Sequence, residues 1–325
     1  MKLPLCQVKK AESSWLTTEF TLFIAYLVML LFFTIASPYF FNMRNFLNIG
    51  LYSSIVGTSA VGMTLVLLSG GIDVSVGAIM GLVGVAMGMM LQANYPMPLV
   101  VLSGLIMGTF CGLVNGLIIT KLRINALIAT LSTMAIFRGL AFVVCGGLSV
   151  LITSVDFRWF GRGYLLNIPV SLIIMIVFFI IFGYILKNTK FGRRIYATGG
   201  NPRASYLSGI NIRRIRIWVF TISGFTAGLG GLLMASQTGS GLPQAGQGME
   251  LDVIAAVVLG GTSLAGGRGK IIGTLLGVLM MSTLSNGMIL MNVPSFYQQI
   301  AKGCVLLLAV MVDTIRVGNY ADDGE

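Results

Sequence analysis

The 325-residue chain contains no histidine, and only ten of its side chains carry carboxylates. Charged residues make up 10% of it, against roughly a quarter in an ordinary soluble domain. Without histidine, and without a cysteine cluster at metal-ligand spacing, zinc chemistry lacks its usual ligands and acid–base catalysis its commonest base. Within the apolar body the one close carboxylate pair is Glu250 and Asp252 at a predicted helix start, where both suit the positive helix N-terminus. Cys6, Cys111, Cys145 and Cys304 show no close pair and read as small buried hydrophobes. No apolar signal region precedes Cys6, so neither lipid attachment there nor a cleaved signal peptide is expected. A phosphate loop is also missing. Gly266-Gly267-Arg268-Gly269-Lys270 is followed by Ile271 instead of Ser or Thr, and position 264 is leucine, so no cofactor or ATP site is expected in this chain.

What is abundant is apolar surface: 56% hydrophobic residues, a mean hydropathy of +0.92 and 42 glycines. A bilayer core of about 30 Å needs roughly 20 apolar residues per helical span. Such runs lie near 20–37, 50–69, 75–93, 98–119, 125–145, 168–186, 215–235, 250–265, 271–290 and 297–315. Only helices or closed barrels satisfy the backbone in lipid, and continuous runs exclude the alternating pattern of a barrel. The expectation is an all-α polytopic integral membrane protein of about ten helices in a single domain over 1–325. Gly81, Gly84 and Gly88, and Gly224, Gly228 and Gly231, suit close helix packing.

The net charge of +11 reflects topology rather than nucleic acid. With the N-terminus in the cytoplasm, sixteen of the 21 basic residues fall on that side; only Arg44, Arg138, Arg158, Arg162 and Lys302 lie elsewhere. An even number of spans returns Asp322, Asp323 and Glu325 to the cytoplasm. Leu67-Leu68-Ser69-Gly70-Gly71 and Val258-Leu259-Gly260-Gly261-Thr262 share a rhythm: each ends a helix on paired glycines before another begins. This predicts a weak parallel repeat with broken or re-entrant segments at both places.

Asp73, a carboxylate at membrane depth, is a functional candidate by its cost alone. With Ser75 it either caps the helix beginning near Val76, links helices, or lines a pathway. Asn115, Asn125, Asn286, Gln298 and Gln299 suit hydrogen bonding to a polyol or between helices, and Arg138 needs a partner or a wet cavity. The Gln- and Gly-rich stretch from Ser236 to Gly248 suits an entrance for a neutral solute or a plain connector.

From Lys187 to Arg216 the chain has eight basic and no acidic residues. Within it Asn201 can cap a short helix with Pro202 in its first turn and Gly209 at its end. Tyr206 and Leu207 then offer an apolar face to a partner's groove.

Here three blocks resemble the ribose-type ABC importer permeases over nearly the whole chain. They are Phe191 to Asn211, containing Tyr196-Ala-Thr-Gly-Gly-Asn-Pro-Arg-Ala-Ser-Tyr; Gly62 to Gly77, containing Leu68-Ser-Gly-Gly-Ile-Asp-Val-Ser; and Leu251 to Gly269, containing Leu259-Gly-Gly-Thr-Ser. The resemblance implies a permease in a bacterial inner membrane, paired with a second copy or close paralogue. It implies ATP-binding cassette subunits in the cytoplasm and an external sugar-binding protein. Asn201, Pro202, Arg203, Ala204, Ser205, Tyr206, Leu207, Gly209 and Ile210 match the segment coupled to the ATPase. Family members carry ribose, arabinose, galactose, xylose or autoinducer-2, and the shared motifs select none of these. The competing reading is a stand-alone secondary transporter of a neutral polar solute, with Asp73 and Arg138 as a relay; few membrane acids argue against it.

Overall fold

The computed structural model describes residues 6–322, with side-chain surroundings for 19–315. Lys2, Asp323 and Glu325, and the side chains of Cys6, Lys9, Lys10, Arg316 and Asp322, lie outside the described residues. The first half of the chain comprises α1 (Cys6–Ala36), α2 (Met43–Leu68), α3 (Val76–Gln92), α4 (Met97–Lys121) and α5 (Ala126–Cys145). A short excursion follows: β1 (Val150–Leu151), α6 (Val155–Arg162), β2 (Tyr164–Leu165) and β3 (Ile168–Pro169). Then come α7 (Val170–Asn188), α8 (Lys190–Gly200), α9 (Pro202–Leu207) and α10 (Ile212–Thr238). The chain closes with β4 (Ser240–Gly241), α11 (Met249–Leu259), α12 (Ile271–Leu290) and α13 (Ser295–Asp322).

Each of the ten apolar runs forms a helix. Eight are long and apolar enough to cross a membrane. The other two are α3, of 17 residues, and α11, of 11. At 1.5 Å per residue these span only about 25 and 16 Å, short of a 30 Å core. Both shortfalls are made up by non-helical chain packed inside the protein, as lipid requires.

Burial ranks the helices. The α2 span is 89% buried, whereas α1 and α13 are 6% buried and form the edge. That position corrects one expectation: Cys111 is buried and Cys145 half-buried, but Cys304 on α13 is exposed. At the centre α10 crosses α4 on glycines, with Gly224 against Gly108 and Gly112. A Cβ on either side would enter the other backbone, so the small-residue spacing sets the helix separation.

The segment between α10 and α11 is not a plain surface connector. After β4 pairs antiparallel with β1, it runs as a series of turns along a glycine face of α3. Gly241 lies against Gly84, Ala245 against Gly81, and Gly246 against Gly77. Glycines every three or four residues on α3 make the groove that accepts a bare backbone, so α11 begins beside the N-terminus of α3.

Candidate functional site

The two glycine pairs end their helices in the same way. After α2, Gly70 takes φ +78°, its N–H donates to Leu67 O at 2.9 Å, and Gly71 N donates to Val66 O at 3.0 Å. After α11, Gly261 takes φ +85°, donating to Val258 O at 2.8 Å, and Thr262 N donates to Val257 O at 3.2 Å. This is the paired-bond helix stop in which a left-handed glycine satisfies the last carbonyls.

Beyond the first break the chain re-enters the bundle and brings Asp73 among α3, α4, α5 and α10. Ser75 Oγ donates to Asp73 Oδ1 at 2.6 Å and Ser75 N to the same oxygen at 3.1 Å. Ser223 Oγ of α10 donates to Asp73 Oδ2 at 2.8 Å, and Asn115 Nδ2 of α4 donates to Ser75 Oγ at 2.8 Å. Thr130 Oγ1 of α5 accepts from Val74 N at 3.2 Å. Asp73, Ser75 and Asn115 are all fully buried. Ser75 occupies the N-cap of α3 but makes no side-chain capping bond, because its hydroxyl is turned to Asp73. Through Ser223, Asp73 links the start of α3 to α10.

Arg138 of α5 donates through Nη1 to Pro243 O at 2.7 Å and Ala245 O at 2.6 Å. It clamps this turn-rich segment onto α3. Glu250, just beyond that segment, accepts from Gly248 N through Oε1 at 3.1 Å, as an acid at a helix start should. Asp252 does something else: its Oδ2 accepts from Lys302 Nζ of α13 at 2.6 Å and from Tyr52 Oη of α2 at 3.0 Å. The expected helix-end role therefore holds for Glu250, while Asp252 is used to bind an edge helix to the core.

Of the remaining polar candidates, Asn286 is half-buried with Oδ1 lacking a partner among the described residues. Gln298 is half-buried and donates to Val293 O at 2.8 Å, and Gln299 is exposed. Asn125 caps α5 by accepting from Leu127 N at 2.9 Å. These four stand apart from the Asp73 network, so the polar candidates do not form one site.

The basic loop folds as two helices where one was expected. Asn201 ends α8 and caps α9, its Oδ1 accepting from Ala204 N at 2.9 Å, with Pro202 in the first turn. Gly209 at φ +78° closes α9 with the same paired bonds, Gly209 N to Tyr206 O and Ile210 N to Ser205 O, both 3.0 Å. Tyr206 and Leu207 are 72% and 79% exposed, so the apolar face points away from the protein.

Helix α8 carries this exposed element to the broken helices. Gly199 packs on the Leu68 carbonyl at the end of α2 and beside Gly267, so any Cβ there would collide. Gly267 N donates to Leu68 O at 3.0 Å, and Tyr196 Oη donates to Gly269 O at 2.9 Å. Burial holds the Tyr196 phenol above its ordinary pKa, so it remains a donor. From the far side of the loop after α11, Asp313 Oδ2 of α13 accepts from Ser263 Oγ and Leu264 N, both at 3.0 Å.

Sequence reasoning missed Tyr52, Tyr196, Gly199, Ser223, Thr130 and Asp313. Lys302, a cation inside an apolar run, was the available signal for its ion pair. Ser223 and Thr130 carry no such signal, since short hydroxyls often bond their own helix. No group of His, Cys, Asp and Glu that could hold a metal occurs among the described residues.

Residues 45–310 match the family described as branched-chain amino acid transport system / permease component. The chain is 45% identical over 293 residues to the ribose import permease protein RbsC of Bacillus subtilis, covering 90% of this chain and 91% of the relative. It is 43% identical over 304 residues to RbsC of Escherichia coli K12, covering 92% and 94%. It is 40% identical over 293 residues to the L-arabinose ABC transporter permease protein AraH of Azospirillum brasilense, covering 90% and 86%. No solved structure matches it. With the family pattern running from the start of α2 into α13, and relatives alike over almost their full lengths, the chain belongs to this family of transport-system permease components.

Proposed function

We propose that this permease is the membrane-spanning subunit of an ABC importer for a monosaccharide or sugar-like solute, driven by a separate ATPase and supplied by an external binding protein. The observation that carries the ATPase half is the exposed, doubly capped helix α9, connected through the glycine junction at Gly199 to both broken helix ends. An apolar face more than two-thirds exposed costs free energy unless a partner covers it. The sugar half rests on the ribose and arabinose relatives, and the scarcity of ionisable groups suits a neutral cargo. The basic loop, by the excess of Lys and Arg near the span ends, faces the cytoplasm together with both termini. In the cycle, closure of the ATPase pushes α9; α8 passes the push to Leu68 and Gly267, and hydrolysis resets it. A second permease copy or close paralogue completes the translocation unit.

The test is uptake in proteoliposomes containing the permease, its ATPase and its binding protein. Uptake that needs ATP and both partners is expected. Uptake that runs without the ATPase and collapses with the proton gradient would instead assign a secondary transporter.

A further inference from the structure

At the end of the bundle that carries α8 and α9, a cavity of about 740 Å³ opens between the loop after α2, the start of α5 and the first turns of α10. Arg123, Arg213 and Arg216 line it, and no carboxylate does among the described residues. None of the three guanidinium groups has a hydrogen bond or ion pair among the described residues, and Arg216 Nε is buried without an acceptor. A guanidinium donor removed from water and left unbonded is costly, so the arrangement is incomplete without an acceptor. Two helices also start here. Asn125 caps α5, and Asn211 caps α10 by accepting from Arg214 N at 3.0 Å. Their N-termini add positive potential to the arginines. Gly70 and Gly71 present bare backbone on the opposite wall, which leaves room for a ligand between them and Arg216.

We propose that this cavity is a binding site for a phosphate-bearing anion, either the headgroup of an anionic phospholipid or a soluble phosphate compound. Phosphate is the chemistry that matches several guanidinium forks converging from different elements. Basic pockets between helices at the cytoplasmic rim are also where anionic headgroups settle. A neutral sugar needs no such charge, so the site is independent of the transported solute. Its wall includes Gly70, Gly71 and Ile72, so an occupant braces the re-entrant loop after α2.

The full-length permease, purified and placed in nanodiscs of phosphatidylcholine with or without phosphatidylglycerol, supplies the test. Thermal melting is followed in inorganic phosphate against chloride at equal ionic strength, and retained phosphatidylglycerol is counted by native mass spectrometry. Stabilisation by phosphate assigns a soluble ligand, preferential retention of phosphatidylglycerol assigns a headgroup, and both together assign the shared chemistry. In each case the double variant Arg123→Asn/Arg213→Gln should bind roughly tenfold more weakly, as expected on losing charge-assisted hydrogen bonds. Both side chains are exposed, and Asn tolerates the left-handed backbone of residue 123 (φ +58°), so the variant should fold. A wild type that responds to neither probe, or a double variant that binds as the wild type does, overturns the proposal.

Discussion

The hydroxyl of Tyr196 donates to the carbonyl oxygen of Gly269 at 2.9 Å, tying α8 to the loop that follows α11. Together with Gly199 against Leu68, it gives α8 a grip on the ends of both broken helices at once.

Weakening that grip should uncouple the transporter. Tyr196→Phe removes one hydrogen bond, worth about 1 kcal/mol, and should lower uptake per ATP hydrolysed with little change in melting temperature. Gly199→Val, whose side chain meets the Leu68 carbonyl, should lower the ratio much further. Equal ratios in wild type and both variants would remove α8 from the coupling route.

Asp73 tests whether its carboxylate is structural. Asp73→Ala leaves the Ser75 and Ser223 donors buried and unpaired, at about 1–3 kcal/mol for each, and should lower the melting temperature sharply. Asp73→Asn keeps an acceptor and should retain most of the stability and uptake. A stable Asp73→Asn protein without uptake would assign this carboxylate a part in the transport pathway.

Arg138→Ala releases the carbonyls of Pro243 and Ala245. The segment 239–248 should then leave the glycine face of α3, which a cysteine placed at Gln244 reports as faster reaction with a membrane-impermeant maleimide. An unchanged rate would show that packing on α3 holds the segment without the clamp.

The Asp252–Lys302 pair is accessible to a double-mutant cycle. Removing one partner of a buried pair costs about 3–5 kcal/mol, and the low end is expected because the Lys302 side chain keeps 22% exposure. Asp252→Asn and Lys302→Met should each destabilise, and the double variant should recover much of the loss. Additive losses would mean that the two charges act independently.

The ten apolar runs and both breaks were legible in the sequence, because a long apolar run reads as a helix in lipid and a glycine pair followed by polar residues reads as a helix stop, whereas Gly230-Gly231 continues inside α10. The capped helix α9 was legible too, from Asn201, Pro202 and Gly209. The course of 239–248 was not: Gln, Gly and Ser suit a solvated loop and a packed run of turns equally. What decides is the groove of Gly77, Gly81 and Gly84, more than 150 positions earlier in the chain. Tyr52 was hidden for a similar reason, since its partner Asp252 lies 200 residues away. The Asp73 network needed Ser223 from α10, a serine indistinguishable by type from those that bond their own helix.

The central claim is that α9 is where an ATPase engages the permease. Leu207→Cys, exposed and outside the packed core, can be oxidised in the assembled complex against cysteines placed around the membrane-facing groove of the ATPase. The account predicts a rapid disulfide from position 207, and loss of ATP-driven uptake in Tyr206→Ala/Leu207→Ala with normal insertion and melting temperature. No cross-link from position 207, with full uptake in the double variant, would contradict it.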